Sequence, residues 1–413
     1  MNLDSQTIQN LRVYLETNLP HALELLRQMV EINSFTANAE GVDRLGQLTA
    51  ELFAGLGFTA VTVPAHNPLY GSHLVLTRHG RTAQKIGFIS HLDTVFPPDE
   101  ERRNNFHWRV EGDRIYGPGT VDIKGGTIVI YMMMAALQAI LPDVFADVTW
   151  TILLNACEET GCEDFGELCL RELAGARGGL IFEGGQMRQD RFKIVAARKG
   201  MAIFRVQVEG KASHAGSAHR RGANAIAQMA DVIQRVHRLT DYGRDLTFNV
   251  GTIAGGTVIN RVPHYASATI EMRAFTPDVY ESGVAAMLAL DGLSTVRSGD
   301  GRYACYVNVE LLRRTPPWSR NEATDGLLTI WQQAADDLGC AVLPEERGGL
   351  SDGNHIWHSL PVIDGLGPSG GNSHCSERSE DGSKEQEYCL VSSFVPKALL
   401  NVAGVARLVI GNR

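Results

Sequence analysis

Four short apolar runs, at residues 86–89, 150–154, 180–182 and 362–363, each stop abruptly at polar or charged residues. Runs of this length, alternating with helix-like segments, are the pattern of an α/β layered fold. In an open α/β sheet the strand ends face the crevice where ligands bind, so the residues that terminate each run carry the functional information. Residues 131–140, rich in Met and Ala, read as a buried helix between the first two runs, with the methionines as core filling. The opening is also helical in pattern. Leu11 and Leu15 recur at helical spacing, Pro20 is expected to interrupt, and Leu23, Leu26, Met29 and Val30 resume the stripe.

Residues 194–316 have a different texture. Residues 201–208 alternate as a half-buried strand does, and 222–239 form an amphipathic helix with Ile226, Met229, Ile233 and Val236 on one side. Strands are expected at 248–254, 266–274 and 303–311, with a second helix at 279–290. Strand, helix, two strands, helix, strand is the order of a ferredoxin-like α+β sandwich. Thr315, Pro316 and Pro317 mark a return point. At 413 residues the chain exceeds what one hydrophobic core usually supports. The expected organisation is therefore a larger α/β domain in two parts, 1–193 and 317–413, with a smaller domain inserted at 194–316.

Charge narrows the partners. With 38 Lys plus Arg against 47 Asp plus Glu the net charge is −9, which provides no general attraction to nucleic acid or anionic lipid. Residues 1–10 are polar, without the apolar centre of a signal peptide, and no stretch approaches the ~20 apolar residues that cross a bilayer. Seven cysteines, an odd number, suit free thiols in a reducing compartment, so a cytoplasmic protein is expected. Cys157, Cys162 and Cys169 cluster at spacings that match no zinc ribbon and read as ordinary thiols.

The run endings hold the chemistry. The first run leads into His91-Leu-Asp93, the second into Glu158-Glu159, the third into Glu183-Gly-Gly, and the fourth into a Gly-rich loop bearing His374. A fifth segment, 117–126, brings Asp122 between glycines ahead of a helix that starts near Thr127. Residues i and i+2 of an extended chain face the same way. Asp93 can therefore hold one ring nitrogen of His91 and leave the other for a metal. Alone, a His-x-Asp pair is more often a surface ion pair; at the end of an apolar strand the two readings are level. Adjacent Glu158 and Glu159 repel unless something compensates, and a cation does. One can ligate while the other moves a proton, although a solvated acidic turn through Glu163 and Asp164 fits as well.

Asp122 has two oxygens and can bridge two cations about 3.5–4 Å apart. The 117–126 stretch lacks both the G-x-G-x-x-G order and a Walker ending, so no nucleotide site is read there. His91, Asp122, Glu159, Glu183 and His374 supply two imidazoles and three carboxylates. With Asp122 shared, each metal receives three protein ligands and keeps an open position, as catalytic zinc does. Imidazole without thiolate favours zinc, with cobalt and manganese as further candidates.

These blocks in this order, His91-Leu-Asp93-Thr-Val, the 117–126 loop, Glu158-Glu159-Thr-Gly, Glu183 and His374, resemble the co-catalytic zinc peptidases and deacylases. That family includes carboxypeptidases of the G type, acetylornithine deacetylase and succinyl-diaminopimelate desuccinylase. The resemblance covers nearly the whole chain and implies an inserted dimerisation domain, hence a homodimer. It assigns His91, Asp122 and Glu183 to one zinc ion and Asp122, Glu159 and His374 to the other. Glu158 becomes the general base and Asp93 orients His91. In the inserted domain, His214 resembles a histidine that crosses a dimer to steady the tetrahedral oxyanion, a role worth about 10²–10³ in rate. Asn260 and Arg273 resemble residues that bind a substrate's free carboxylate. Without the resemblance, Arg273 reads as a salt-bridging residue on a sheet face.

The chain departs from the pattern in its tail, where Arg378 stands at the position, four after His374, that often holds Glu in the family. Ser351-Asp352-Gly353-Asn354 resembles a supporting pocket loop. The leading expectation is a carboxypeptidase-like hydrolase of a small peptide or N-acyl amino acid with a free carboxylate. An N-acyl amino acid deacylase is its close rival. A binding relative without turnover is disfavoured by Glu158, which such a protein has no need to keep.

Overall fold

The computed structural model describes residues 3–411, which divide into two compact units. One unit takes in the chain up to Ala196, then Arg320–Glu346, then the chain from Ser351 on; the other is Ala197–Ser319 with Arg347–Leu350.

The first unit is built on a six-stranded sheet. Its order is Thr59–Pro64, Ser72–Arg78, Thr149–Asn155, Lys85–His91, Gly179–Ile181 and Val362–Ile363. The first two strands run antiparallel and the last four are mutually parallel. Lys85–His91 and Thr149–Asn155 are buried along almost their whole length. This explains their unbroken apolar character: central parallel strands are covered on both faces. Register places His91 beside Asn155, so the residues that follow the two strands emerge together.

The helices Ser5–Val30, Lys124–Ile140 and Val391–Ile410 pack with the sheet in one core. Contrary to the sequence expectation that no stretch approaches this length, Val391–Ile410 is long and apolar enough to cross a bilayer, but it is mostly buried, as a core helix is. Lys124–Ile140 begins earlier than expected, and its first turn presses on the end of Gly179–Ile181. A Cβ on Gly126 would lie 2.0 Å from the Phe182 carbonyl oxygen, so only glycine permits this approach. The consequence is that Asp122, just ahead of the helix, is held close to the strand end that leads to Glu183.

The expected break at Pro20 does not occur: Ser5–Val30 is one helix with Pro20 inside it. A mid-helix proline costs about 3 kcal/mol. Leu11 and Leu15 before it, and Ala22, Leu26 and Met29 after it, are all buried on the same core. Each large apolar side chain contributes roughly 1.5–3 kcal/mol, so the packed face outweighs the proline.

The second unit is a four-stranded antiparallel sheet ordered Thr247–Gly255, Tyr265–Ala274, Gly200–Glu209, Tyr306–Thr315. Helices Ala225–His237 and Pro277–Leu288 pack against it. This is the ferredoxin-like order expected above. Tyr265–Ala274 alternates strictly, burying Ala266, Ala268, Ile270 and Met272 in the core of the unit.

Candidate metal centre

His91 closes its strand with the ring buried. Its Nδ1–H donates to the Asp93 backbone carbonyl at 2.9 Å, with the Asp93 carboxylate 3.3 Å away. A carbonyl only accepts, so the proton sits on Nδ1 and Nε2 is left to face the site. Nε2 lies 3.1 Å from Asp122 Oδ1 and 3.8 Å from Glu183 Oε1.

The buried Asp93 carboxylate has a second task. Oδ1 accepts the Glu158 amide at 3.0 Å, and Oδ2 accepts the Glu159 amide at 3.2 Å and the Thr36 hydroxyl at 2.7 Å. The turn that carries both glutamates is thereby hung on the residue that orients His91.

Asp122 faces both ways. Its Oδ1 meets His91, and its Oδ2 lies 3.3 Å from His374 Nε2, which is also 3.2 Å from Glu159 Oε2. The Asp122–Ile123 peptide is cis. His374 sits between the short strands Gly370–Gly371 and Tyr388–Leu390 with a φ of 66°, and its ring is about half exposed. Two donor triplets result: His91, Asp122 and Glu183, and Asp122, Glu159 and His374, each with ligand atoms within 4.8 Å of one another. Each has one imidazole and two carboxylates, with Asp122 common to both. Such a set fits two adjacent divalent cations.

The electrostatics point the same way. Burial opposes charge on His91, yet hydrogen bonds with Asp122 and Asp93 and the charge of Glu183 raise its pKa well above the ordinary value. Hydrogen bonds to Asp122 and Glu159 push His374 up to about 11 against burial. Burial would raise the Asp122 pKa, but the two imidazoles lower it. The cluster draws positive charge to the places where cations would sit. Glu158 differs. Its burial, opposed by the charge of His91 and reinforced by Asp352, Glu183 and Glu159, raises its pKa well above the usual carboxylate value. It belongs to neither donor triplet.

One contributor was not singled out from the sequence. Glu387 is fully buried and accepts the amides of Val121 and Asp122 at 3.0 and 3.2 Å through Oε1, gripping the backbone of the shared aspartate. Burial first, and then the charge of Asp122, push its pKa up to about 8. No signal marked it among the acidic residues of the tail. Arg378, the departure noted in the sequence, pairs at the surface with Glu111 at 3.0 Å. Asp352, in the loop given a supporting place, is also buried; Asn155 donates to it at 2.8 Å, and burial pushes its pKa up to about 7.

The remaining predicted residues belong to the second unit. His214 is exposed, and its Nδ1 accepts the amides of Gly216 and Ser217, both at 3.1 Å. The ring proton is therefore on Nε2, which is presented as a donor. The segment around His214 pairs with the segment around Asn260, whose carbonyl accepts the Ala215 amide at 2.9 Å. Arg273 donates to Glu271 at 2.7 Å and to the Gly348 carbonyl at 2.8 Å. One reading of the cysteines is corrected. Cys157 and Cys162 are joined as a disulfide, because the tight turn between them brings their Cα atoms to 5.7 Å. Cys169 is free and buried.

Known proteins are similar to this chain over much of its length. Residues 196–289 match the M20 peptidase dimerisation domain. Carboxypeptidase G2 of Pseudomonas sp. (strain RS-16) is 28% identical over 93% of this chain and 88% of its own length. Acetylornithine deacetylase of Klebsiella pneumoniae (strain 342) is 30% identical, over 60% of this chain and 66% of its own. Among solved structures, an aminopeptidase from Bacillus cereus superposes with a TM-score of 0.73 at 21% identity, covering 95% of this chain and 99% of that one.

Proposed function

For a chain that belongs to the M20 family of metallopeptidases and deacylases, we propose hydrolysis of the amide bond of a small substrate bearing a free carboxylate, in the manner of a carboxypeptidase. The observation that carries the reading is the pair of donor triplets sharing Asp122, with the partly buried Glu158 beside them and outside both. Zinc is the metal best suited to imidazole and carboxylate ligands, with His91, Asp122 and Glu183 holding one ion and Asp122, Glu159 and His374 the other. When bound, the pair polarises the scissile carbonyl and acidifies water.

The residues of this chain do the rest. Asp93 fixes the His91 tautomer and holds the Glu158–Glu159 turn. Glu158 takes a proton from the attacking water and returns it to the leaving amine nitrogen. In a homodimer formed through the second unit, the partner subunit's His214 donates to the tetrahedral oxyanion. Asn260 and the guanidinium of Arg273 bind the substrate carboxylate, Arg273 exchanging its Glu271 contact for the ligand. The likeness to acetylornithine deacetylase supports a second reading, an N-acyl amino acid deacylase with the same chemistry and another acyl group.

The test is elemental analysis of the purified protein with hydrolysis of N-acyl glutamate, aspartate and neutral amino acids and of dipeptides on the same sample. About two metal ions per chain and chelator-sensitive turnover of a carboxylate-bearing amide support the proposal. A chain that takes up no metal and turns over no amide overturns it. Mixing His214→Ala with Glu158→Gln subunits checks the shared site: verified heterodimers should recover part of the activity, and none regained removes His214 from that role.

A further inference from the structure

The turn bearing the two glutamates is closed by a covalent bond. Cys157 immediately precedes Glu158, and Cys162 follows Gly161, so the disulfide loop contains little besides the proposed base and one proposed ligand. Within it, Glu158–Thr160 forms a single 3₁₀ turn, and Gly161 reverses the chain at a φ of 70°. We propose that Cys157 and Cys162 form a reversible thiol–disulfide site that clamps the Glu158–Glu159 turn, opened by a dithiol reductant. The proposal rests on the roles given above to Glu158 and Glu159.

The two sulfurs differ in access. Cys157 is fully buried, whereas Cys162 is partly exposed at the start of the helix Glu163–Glu172. An incoming dithiol therefore attacks the Cys162 sulfur as a thiolate, forming a mixed disulfide and expelling Cys157 as a thiolate. The second thiol of the reductant then displaces Cys162. The reductant leaves as its own disulfide, having given two electrons and two protons, and both protein thiols are restored.

Reduction does not free the whole segment. Asp93 still accepts the Glu158 and Glu159 amides. Beyond the turn, Asp164 is tied to the His66 amide at 2.7 Å and to His73 Nε2 at 3.2 Å. The segment stays anchored at both ends while its middle loosens. The expected result is a weaker grip on the ion that Glu159 holds, not loss of the fold.

The same neighbourhood offers another use, because His73, Cys157, Cys162 and Asp164 could together surround a metal. The hydrogen bonding of His73 argues against it. Its Nδ1 accepts the Ala156 amide at 3.1 Å, so the neutral ring carries its proton on Nε2, pointing at Asp164. A metal at Nε2 would leave the ring without a proton unless the Ala156 bond broke. The disulfide makes no such demand.

The experiment equilibrates the metal-loaded enzyme in dithiol–disulfide buffers of stepped potential. At each step it reads the thiol count after denaturation, amide exchange of residues 157–162, and the rate of metal loss to a chelator. Five free thiols should become seven in one two-electron transition. Exchange in the turn should quicken, and metal loss should speed by about tenfold, within the range for disturbed supports of a metal ligand. The Cys157→Ser/Cys162→Ser variant should show the reduced behaviour in every buffer, and Cys169→Ser should follow the wild type. Dithiols also bind metals directly, and the insensitive double variant separates that effect. Seven thiols at every potential overturn the proposal. So does a bond that forms without changing exchange or metal loss, or a third zinc ion bound only by the reduced wild type. If the bond and the exchange respond in a protein that shows no hydrolysis, the functional reading fails and the clamp stands.

Discussion

Asp93 shows how much one buried carboxylate can organise, since the orientation of His91 and the placement of Glu158 and Glu159 both pass through it. Asp93→Asn turns one of its acceptor oxygens into an amide donor facing another donor. Metal affinity should fall by about 10–100-fold, read by competition with a chromogenic chelator. Glu158→Gln should behave differently. Metal content stays at the wild-type level while turnover drops by about 10²–10⁴, the contribution of a positioned acid–base group; unchanged turnover would remove Glu158 from its role. His73 makes a prediction about pH. Burial, opposed by its contact with Asp164, lowers its pKa from 6.5. A lowered folded-state pKa means the unfolded chain binds the proton first, so this stability is present above 6.5 and lost as pH falls through the folded value. The denaturation midpoint should decline from pH 6.5 downward, with a shallower slope in His73→Gln.

Elements deliver these residues by close approach. Lys124–Ile140 can start where it does because Gly126 has no side chain; Gly126→Ala drives a Cβ into the Phe182 carbonyl. The helix must then shift, at a cost of at least about 1–3 kcal/mol in thermal or denaturant unfolding, and carry Asp122 away from Glu183. The short strand Tyr388–Leu390 works from the other side. Its pairing with Arg114–Tyr116 buries the adjacent Glu387 against the Val121 and Asp122 amides. Glu387→Ala leaves those amides unpaired, at about 1–3 kcal/mol each, and should weaken metal retention without altering the ligands. The run endings His91, Glu158-Glu159 and Glu183 were legible because each stands where an apolar strand stops. Glu387 was not, because a buried acid and a solvated one look alike in a polar tail until strand pairing decides which is covered.

At the scale of the whole chain, the donor triplets lie entirely in the first unit, while His214, Asn260 and Arg273 lie in the second. Removal of metal should therefore lower the unfolding temperature of the first unit and leave the cooperative melting of the second, seen by calorimetry with and without chelator. A uniform shift of both would contradict this. The order of elements was written in the sequence: period-2 and period-3.6 apolar patterns depend on neighbouring residues, and they gave both the α/β unit and the ferredoxin-like one. The donor types of the two triplets were written there too, since a carboxylate or imidazole at a strand end is a local fact. Tertiary structure decided what local pattern cannot encode. It kept the helix Ser5–Val30 continuous through Pro20 because a packed apolar face outweighs one lost hydrogen bond. It aimed the Nδ1–H of His91 at a backbone carbonyl, leaving Nε2 to the site. It joined Cys157 to Cys162 across a turn that reads in sequence as two ordinary thiols. Each outcome depends on packing and on the exact backbone path, and those are set only when the chain has folded.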